Sequence, residues 1–155
     1  MSSSLGDPGQ TAHASCARRH LVFGWWSLVV FIGLGTVLEA MHGLKIGWYL
    51  DVSNETRRLM WTLAHAHGTL LSLVHIAFAF SLSQAVNWSA SSRDRASKCL
   101  TWSTYALPGG FFLGGFWIYD GDPGLGVFLA PIGGLLLLVG VLLVAIGVQQ
   151  GGVKD

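Results

Sequence analysis

Four apolar runs, residues 21–41, 59–80, 100–119 and 125–148, take up most of this 155-residue chain. Each is close to the ~20 residues that a helix needs to cross a bilayer core. Inside lipid the backbone has no water to bond, so unbroken runs of this length are restricted to helices. A water-soluble domain could not hide this much apolar surface: 52% of residues are hydrophobic, 11% are charged, and the mean hydropathy is +0.54. The expectation is an all-α protein, an integral membrane four-helix bundle whose first partner is the lipid bilayer. Residues 1–17 read as a disordered polar tail, 18–150 as the four-span domain and 151–155 as a C-terminal tail.

Lys and Arg set the orientation. Arg18, Arg19, Arg93, Arg95, Lys98 and Lys154 belong to the N-terminal segment, the second loop and the tail, whereas the first and third loops hold Lys45, Arg57 and Arg58. The excess places both termini in the cytoplasm, as for a protein of a bacterial inner (plasma) membrane. Arg18-Arg19 before an apolar run imitates a secretory signal, but the run is long and carries Glu39 and His42 near its end, so it reads as an uncleaved first span. A net charge of +1 gives no reason to expect nucleic-acid binding. Cys16 and Cys99 would both face the reducing side and lack CxxC spacing, which argues against a disulfide or a zinc knuckle.

The segment that points to function is 57–75, RRLMWTLAHAHGTLLSLVH, with three histidines inside a run apolar enough to span a bilayer. Ionisable groups at that depth are costly and persist where they face a partner, a cofactor or water. Arg58, Thr62, His65, Thr69 and Ser72 follow one another at spacings of four, three, four and three. That is one stripe of an α-helix, and His75 prolongs it. Lipid satisfies neither hydroxyls nor imidazoles, so the stripe is expected to face other helices. His67 lies about 200° around the helix from His65, among Met60, Leu63, Leu71, Val74 and Phe78. It serves either a second bound group or a hydrogen-bonded packing contact at another interface.

The first span supplies partners for that stripe. Glu39 and His42 are three residues apart, on one face near the outer end of their helix, and antiparallel neighbours joined by one loop bring them level with His65, Arg58 and Lys45. One use is a mononuclear metal site drawing on Glu39, His42 and His65, with Asp120 or Asp122 added from the third loop. Glu39 and His42 also have the Glu-x-x-His spacing of di-iron bundles, but the third and fourth spans carry no interior His, Asp or Glu to complete such a site. The other use is haem, which needs imidazoles at like depth on facing helices with apolar walls around the ring. The candidate pairs are His42 with His65 or His67, whose spacing permits haem without requiring it, and His75 is too deep to pair with His42. A structural ion pair or Glu-to-His hydrogen bond locking two helices is the competing reading.

The second half reads as scaffold. PGGFFLGG, from Pro108, is echoed by PIGGLLLLVG, from Pro131; Gly110 and Gly114 have the small-xxx-small spacing that lets backbones approach, and the prolines should bend or loosen their helices. Tyr119-Asp120-Gly121-Asp122-Pro123-Gly124 is a tight acidic turn with a helix-starting Asp-Pro.

WTLAHAHGTL, residues 61–70, together with Leu107-Pro108-Gly109-Gly110-Phe111 and Gly121-Asp122-Pro123-Gly124, resembles small four-span bacterial membrane proteins that carry a transmembrane HAH motif. The short run around His65 also resembles haem-ligand helices of cytochrome oxidase subunit I-like proteins. That likeness implies a haem or metal role for the histidines, but not an oxidase centre, because the further spans and histidines of those proteins are lacking here.

Three readings follow. The first is a haem-binding or metal-binding redox or sensor component, using His42, His65, His67 and Glu39. The second is a non-catalytic accessory subunit of a larger membrane complex. The third is an oligomeric proton or small-solute conduit along Arg58, Thr62, His65, Thr69, Ser72 and His75, with Glu39 as gate. A chain this small implies a homo-oligomer or a place in a complex. No catalytic residue is assigned, since no nucleophile–base pair, phosphate-binding loop or carboxylate dyad is present.

Overall fold

The computed structural model describes residues 8–51, 55–84 and 88–151. Helices α1 (Pro8–Gly43), α2 (Thr56–Gln84), α3 (Ala90–Phe116) and α4 (Leu129–Gly151) pack in chain order, each against the next, and α4 is entered through a 3₁₀ turn at Leu125–Phe128. The connections at 44–55 and 117–124 define one end of the bundle, the loop end; the start of α1, the α2–α3 connection and the end of α4 define the termini end. Near its start α1 also reaches α3 through side chains.

Three of the helices, His13–Gly43, Thr56–Gln84 and Leu125–Gln150, are long and apolar enough to cross a membrane. The third expected span, 100–119, departs from expectation. Its helix opens on Ser91, Ser92, Arg93, Asp94, Arg95, Ser97 and Lys98, ends at Phe116, and puts Ser103 and Thr104 in the interior. With Ala96, Leu100 and Leu107 also buried, α3 is the packed centre of the bundle and has less need of an apolar outer surface.

The first helix starts earlier than the expected boundary at residue 18. Proline is pre-organised for the first helical position, as at Pro8. The added turns also acquire a buried side, because Cys16 clusters with Phe78, Leu82, Trp88 and Ala96. The outer parts of the two expected tails, 1–7 and 152–155 with Lys154, lie outside the described residues.

Small residues set the helix spacings. Gly133 and Gly140 of α4 meet Leu107 and Leu100 of α3, a seam where α3 lies directly on the α4 backbone, and the same seven-residue step continues to Gly126 in the 3₁₀ turn, against Leu113, and to Gly147, against Trp88 just before α3. Gly110 and Gly114 do the same from the α3 side, against Ala130 and Val127. Between α1 and α2 the contacts are Gly24 against the Ser72 carbonyl and Ile76, Phe31 against Gly68, and Gly35 against His65. Pro131 falls in the first turn of α4, where the missing N–H costs nothing; Pro108, inside α3, removes the donor that the Thr104 carbonyl would use.

At the loop end, strands β1 (Ile118–Tyr119) and β2 (Asp122–Pro123) pair antiparallel around Asp120 (φ 47°) and Gly121 (φ 94°), the two left-handed positions of a type I′ hairpin. Pro123 therefore belongs to a strand and does not start the helix. Arg57 ties this end together. Its guanidinium donates to the carbonyls of Gly115 (3.1 Å) and Trp48 (2.8 Å) and lies 4.3 Å from the centre of the Trp48 ring. Trp61 donates to the Phe112 carbonyl at 3.0 Å and stacks on the Phe112 ring.

The outward faces of α1 and α4 are apolar. Trp25, Trp26, Val29, Val30 and Val37 on α1, and Ile132, Leu135, Leu138, Val139 and Leu142 on α4, are all exposed. Exposed apolar rows of this extent mark a surface built for an apolar surround.

Candidate functional site

A groove of about 940 Å³ runs between α1 and α2 at the loop end. It is lined by Glu39 and His42 from α1 and by Arg58, Thr62 and His65 from α2, with Tyr49 and Glu55 from the intervening connection. The expected level-matching of α1 with α2 is thus realised. α1 ends in a cap in which Lys45 N–H donates to the His42 carbonyl and Ile46 N–H to that of Met41. This is the paired bonding of a Schellman motif, with Lys45 at φ 52° where glycine is usual. The cap turns the chain back across the groove and delivers Tyr49, which is buried near Trp61.

His65 is the most constrained group of the groove. A carbonyl only accepts, so the 2.7 Å contact between His65 Nδ1 and the Phe31 carbonyl fixes the proton on Nδ1. Neutral His65 then has a bare Nε2. Gly35 is what admits the ring, since a Cβ there would fall inside the imidazole. A backbone-anchored Nδ1–H with Nε2 free is the arrangement that metal-ligating histidines use.

The other expected ligands are placed differently. His67 donates from Nδ1 to the Leu63 carbonyl of its own helix (2.8 Å) and packs its ring 5.0 Å from that of Phe111. It faces α3, away from the groove, so it does not share a site with His42 or His65. Arg58 is paired with Glu55 at 2.6 Å. Glu39 and His42 are exposed at the groove's rim. Among the described residues no three His, Cys, Asp or Glu side chains converge closely enough to hold a metal ion. The metal set Glu39, His42 and His65, with or without Asp120 or Asp122, is therefore not assembled: the three share a groove wall without meeting.

The polar stripe of α2 does face α1, but it is interrupted as a path. Ser72 spends its hydroxyl on the Gly68 carbonyl (2.7 Å), the buried Thr69 hydroxyl has no partner among the described residues, and Phe31 closes over Gly68.

His75 belongs to a second assembly, near the termini end. It is fully buried, its Nδ1 lies 2.6 Å from Nδ1 of His20, and its Nε2 lies 3.0 Å from Thr104 Oγ1. His20, 2% exposed, reaches Ser97 Oγ at 2.7 Å through Nε2. Sequence reading missed His20. The depth argument that separated His75 from His42 also puts the start of α1 level with the far end of α2, and that was the signal available. The pair leaves no room for a shared metal, because two nitrogens each ~2.0–2.1 Å from one ion stand well over 2.6 Å apart.

Comparison with family models, with curated proteins and with solved structures finds no match to this chain.

Proposed function

We propose that the protein is an integral membrane protein, with both termini on the cytoplasmic side, whose loop-end groove binds a haem through Nε2 of His65, as a redox or sensor component of its membrane. The observation that carries this reading is the His65 ring, which lines the 940 Å³ groove with its Nδ1 held by the Phe31 carbonyl and its Nδ1–Cε1–Nε2 edge seated on Gly35. That volume is at the upper end of small-molecule sites. The apolar outer faces of α1 and α4 and the Lys/Arg distribution support the membrane placement.

Each groove residue has a part in this reading. His65 would hold the haem, its ring oriented by the Phe31 carbonyl, which accepts the Nδ1 proton. Ile32, Leu38 and Leu59 supply apolar wall. Arg58, neutralised by Glu55, and His42 stand at the rim, where carboxylates of an amphiphilic ligand would emerge toward water. When bound, haem would contribute one-electron chemistry or gas ligation, with its potential set by the ligand and by burial.

A reduced-minus-oxidised optical spectrum of protein purified from haem-supplemented cells tests the reading. Stoichiometric Soret and α bands, lost in His65→Ala and kept in His67→Ala, are the expected result. A colourless wild type would overturn it and leave the accessory-subunit reading, in which the groove is filled by lipid or by a neighbouring subunit.

A further inference from the structure

With the Thr104 hydroxyl turned to the Leu100 carbonyl, the buried contacts around His75 take one arrangement of protons when both rings are neutral. Thr104 donates its only hydroxyl proton to the Leu100 carbonyl (3.0 Å), so it accepts from His75, whose Nε2 carries the hydrogen. His75 Nδ1 is then bare and accepts from His20 Nδ1–H. His20 Nε2 is bare in turn and accepts from the Ser97 hydroxyl, whose oxygen accepts from Arg19 at 3.4 Å. Five hydrogen bonds run in one direction across three helices, from Arg19 through Ser97, His20, His75 and Thr104 to the Leu100 carbonyl.

Such a chain has room for one further proton. Added at His20 Nε2, it makes the ring a double donor, to His75 Nδ1 and to Ser97 Oγ, and requires only that the Ser97 hydroxyl swing away toward the cavity beside it or the carbonyl four residues back. A second added proton would set two N–H groups against each other across 2.6 Å and break the pair. The way in is present. A cavity of about 350 Å³ at the termini end is lined by His20, Ser97, Thr101 and Tyr105, with Arg19, Asp94 and Lys98 around it. A hydrogen bond from Lys98 holds the Asp94 carboxyl below its ordinary range, so it stays ionised there.

We infer that His20 and His75 form a single-proton acceptor, loaded from the termini-end cavity through Ser97 and distinct from the loop-end groove. The charged groups facing it are Arg19 on α1 and Asp94 and Lys98 on α3; α2 contributes His75 itself, and residues 129–151 of α4 carry no charged side chain. Arg19 opposes the added charge and Asp94 favours it. The proton comes from cavity water, ends on His20 Nε2, and leaves by the same hydroxyl.

Nitrogen-15 NMR of histidine-labelled full-length protein in nanodiscs tests this without a variant. Near neutral pH, His20 is expected as the Nδ1–H tautomer and His75 as the Nε2–H tautomer, with scalar coupling between the facing nitrogens. On acidification both rings should shift together in one transition amounting to one proton per chain. The opposite tautomers, two separate transitions, uptake of two protons by a folded chain, or no uptake before unfolding would each overturn the proposal. Ser97→Ala supplies the route test: neutral tautomers retained, with proton exchange at His20 slowed at least tenfold. Unchanged exchange would refute loading through Ser97.

Discussion

His65 and His67 are two residues apart and do different things, because a helix turns them to different neighbours. His65 faces Gly35 and the groove; His67 faces Phe111. Gly35→Ala is expected to reduce ligand occupancy of the groove as His65→Ala does, although it leaves every ligating atom in place, because the new Cβ displaces the imidazole. Haem titration of the two variants, with His75→Ala as the control that keeps occupancy, checks this. At the second site, Ser97→Ala leaves His20 Nε2 buried without a donor, a loss on the order of 1–3 kcal/mol that thermal unfolding in detergent would register.

Among the elements, the α3–α4 seam carries the clearest prediction. Gly133→Ala puts a Cβ into the Leu107 backbone and should lower the unfolding midpoint, whereas the neighbouring Gly134 has nothing within 4 Å. Gly134→Ala should be neutral or stabilising by up to about 1 kcal/mol, the usual helix-propensity gain. Equal effects of the two would contradict the seam. The seven-residue step Gly126, Gly133, Gly140, Gly147 was not singled out in the sequence, and a spacing alone does not say which helix it meets. The α1 cap gives a further case. Lys45 occupies a left-handed position that costs a side-chain-bearing residue about 1–2 kcal/mol, so Lys45→Gly should raise stability, measured in the same unfolding assay.

For the whole molecule the decisive issue is α3. It is central, polar in its first turns and closely packed on both neighbours, whereas α1, α2 and α4 meet the length and hydropathy of spans. If α3 crosses with them, single cysteines at Ser91 and Asp120, in a Cys16→Ser, Cys99→Ser background, should react with a membrane-impermeant maleimide from opposite faces of vesicles. Lys45→Cys should share the face of Asp120. Labelling of Ser91 and Asp120 from one side would make the protein three-span with a re-entrant third helix.

The four helices, the inward stripe of α2 and the level-matching of Glu39, His42 and His65 were readable from periodicity and chain connectivity, since both depend only on spacing along one strand of peptide; the starts of α1 and α3, well before the expected residues 18 and 100, were not. The tertiary structure decided the rest. It separated His67 from the groove, kept Glu39, His42 and His65 from converging on a metal, and joined His20 to His75 across 55 positions. Those outcomes turn on helix rotation and sub-ångström approach, which packing at Gly24, Gly35, Gly68 and the α3–α4 seam imposes. A linear pattern can say that a histidine must find a partner; only the packed helices select which one.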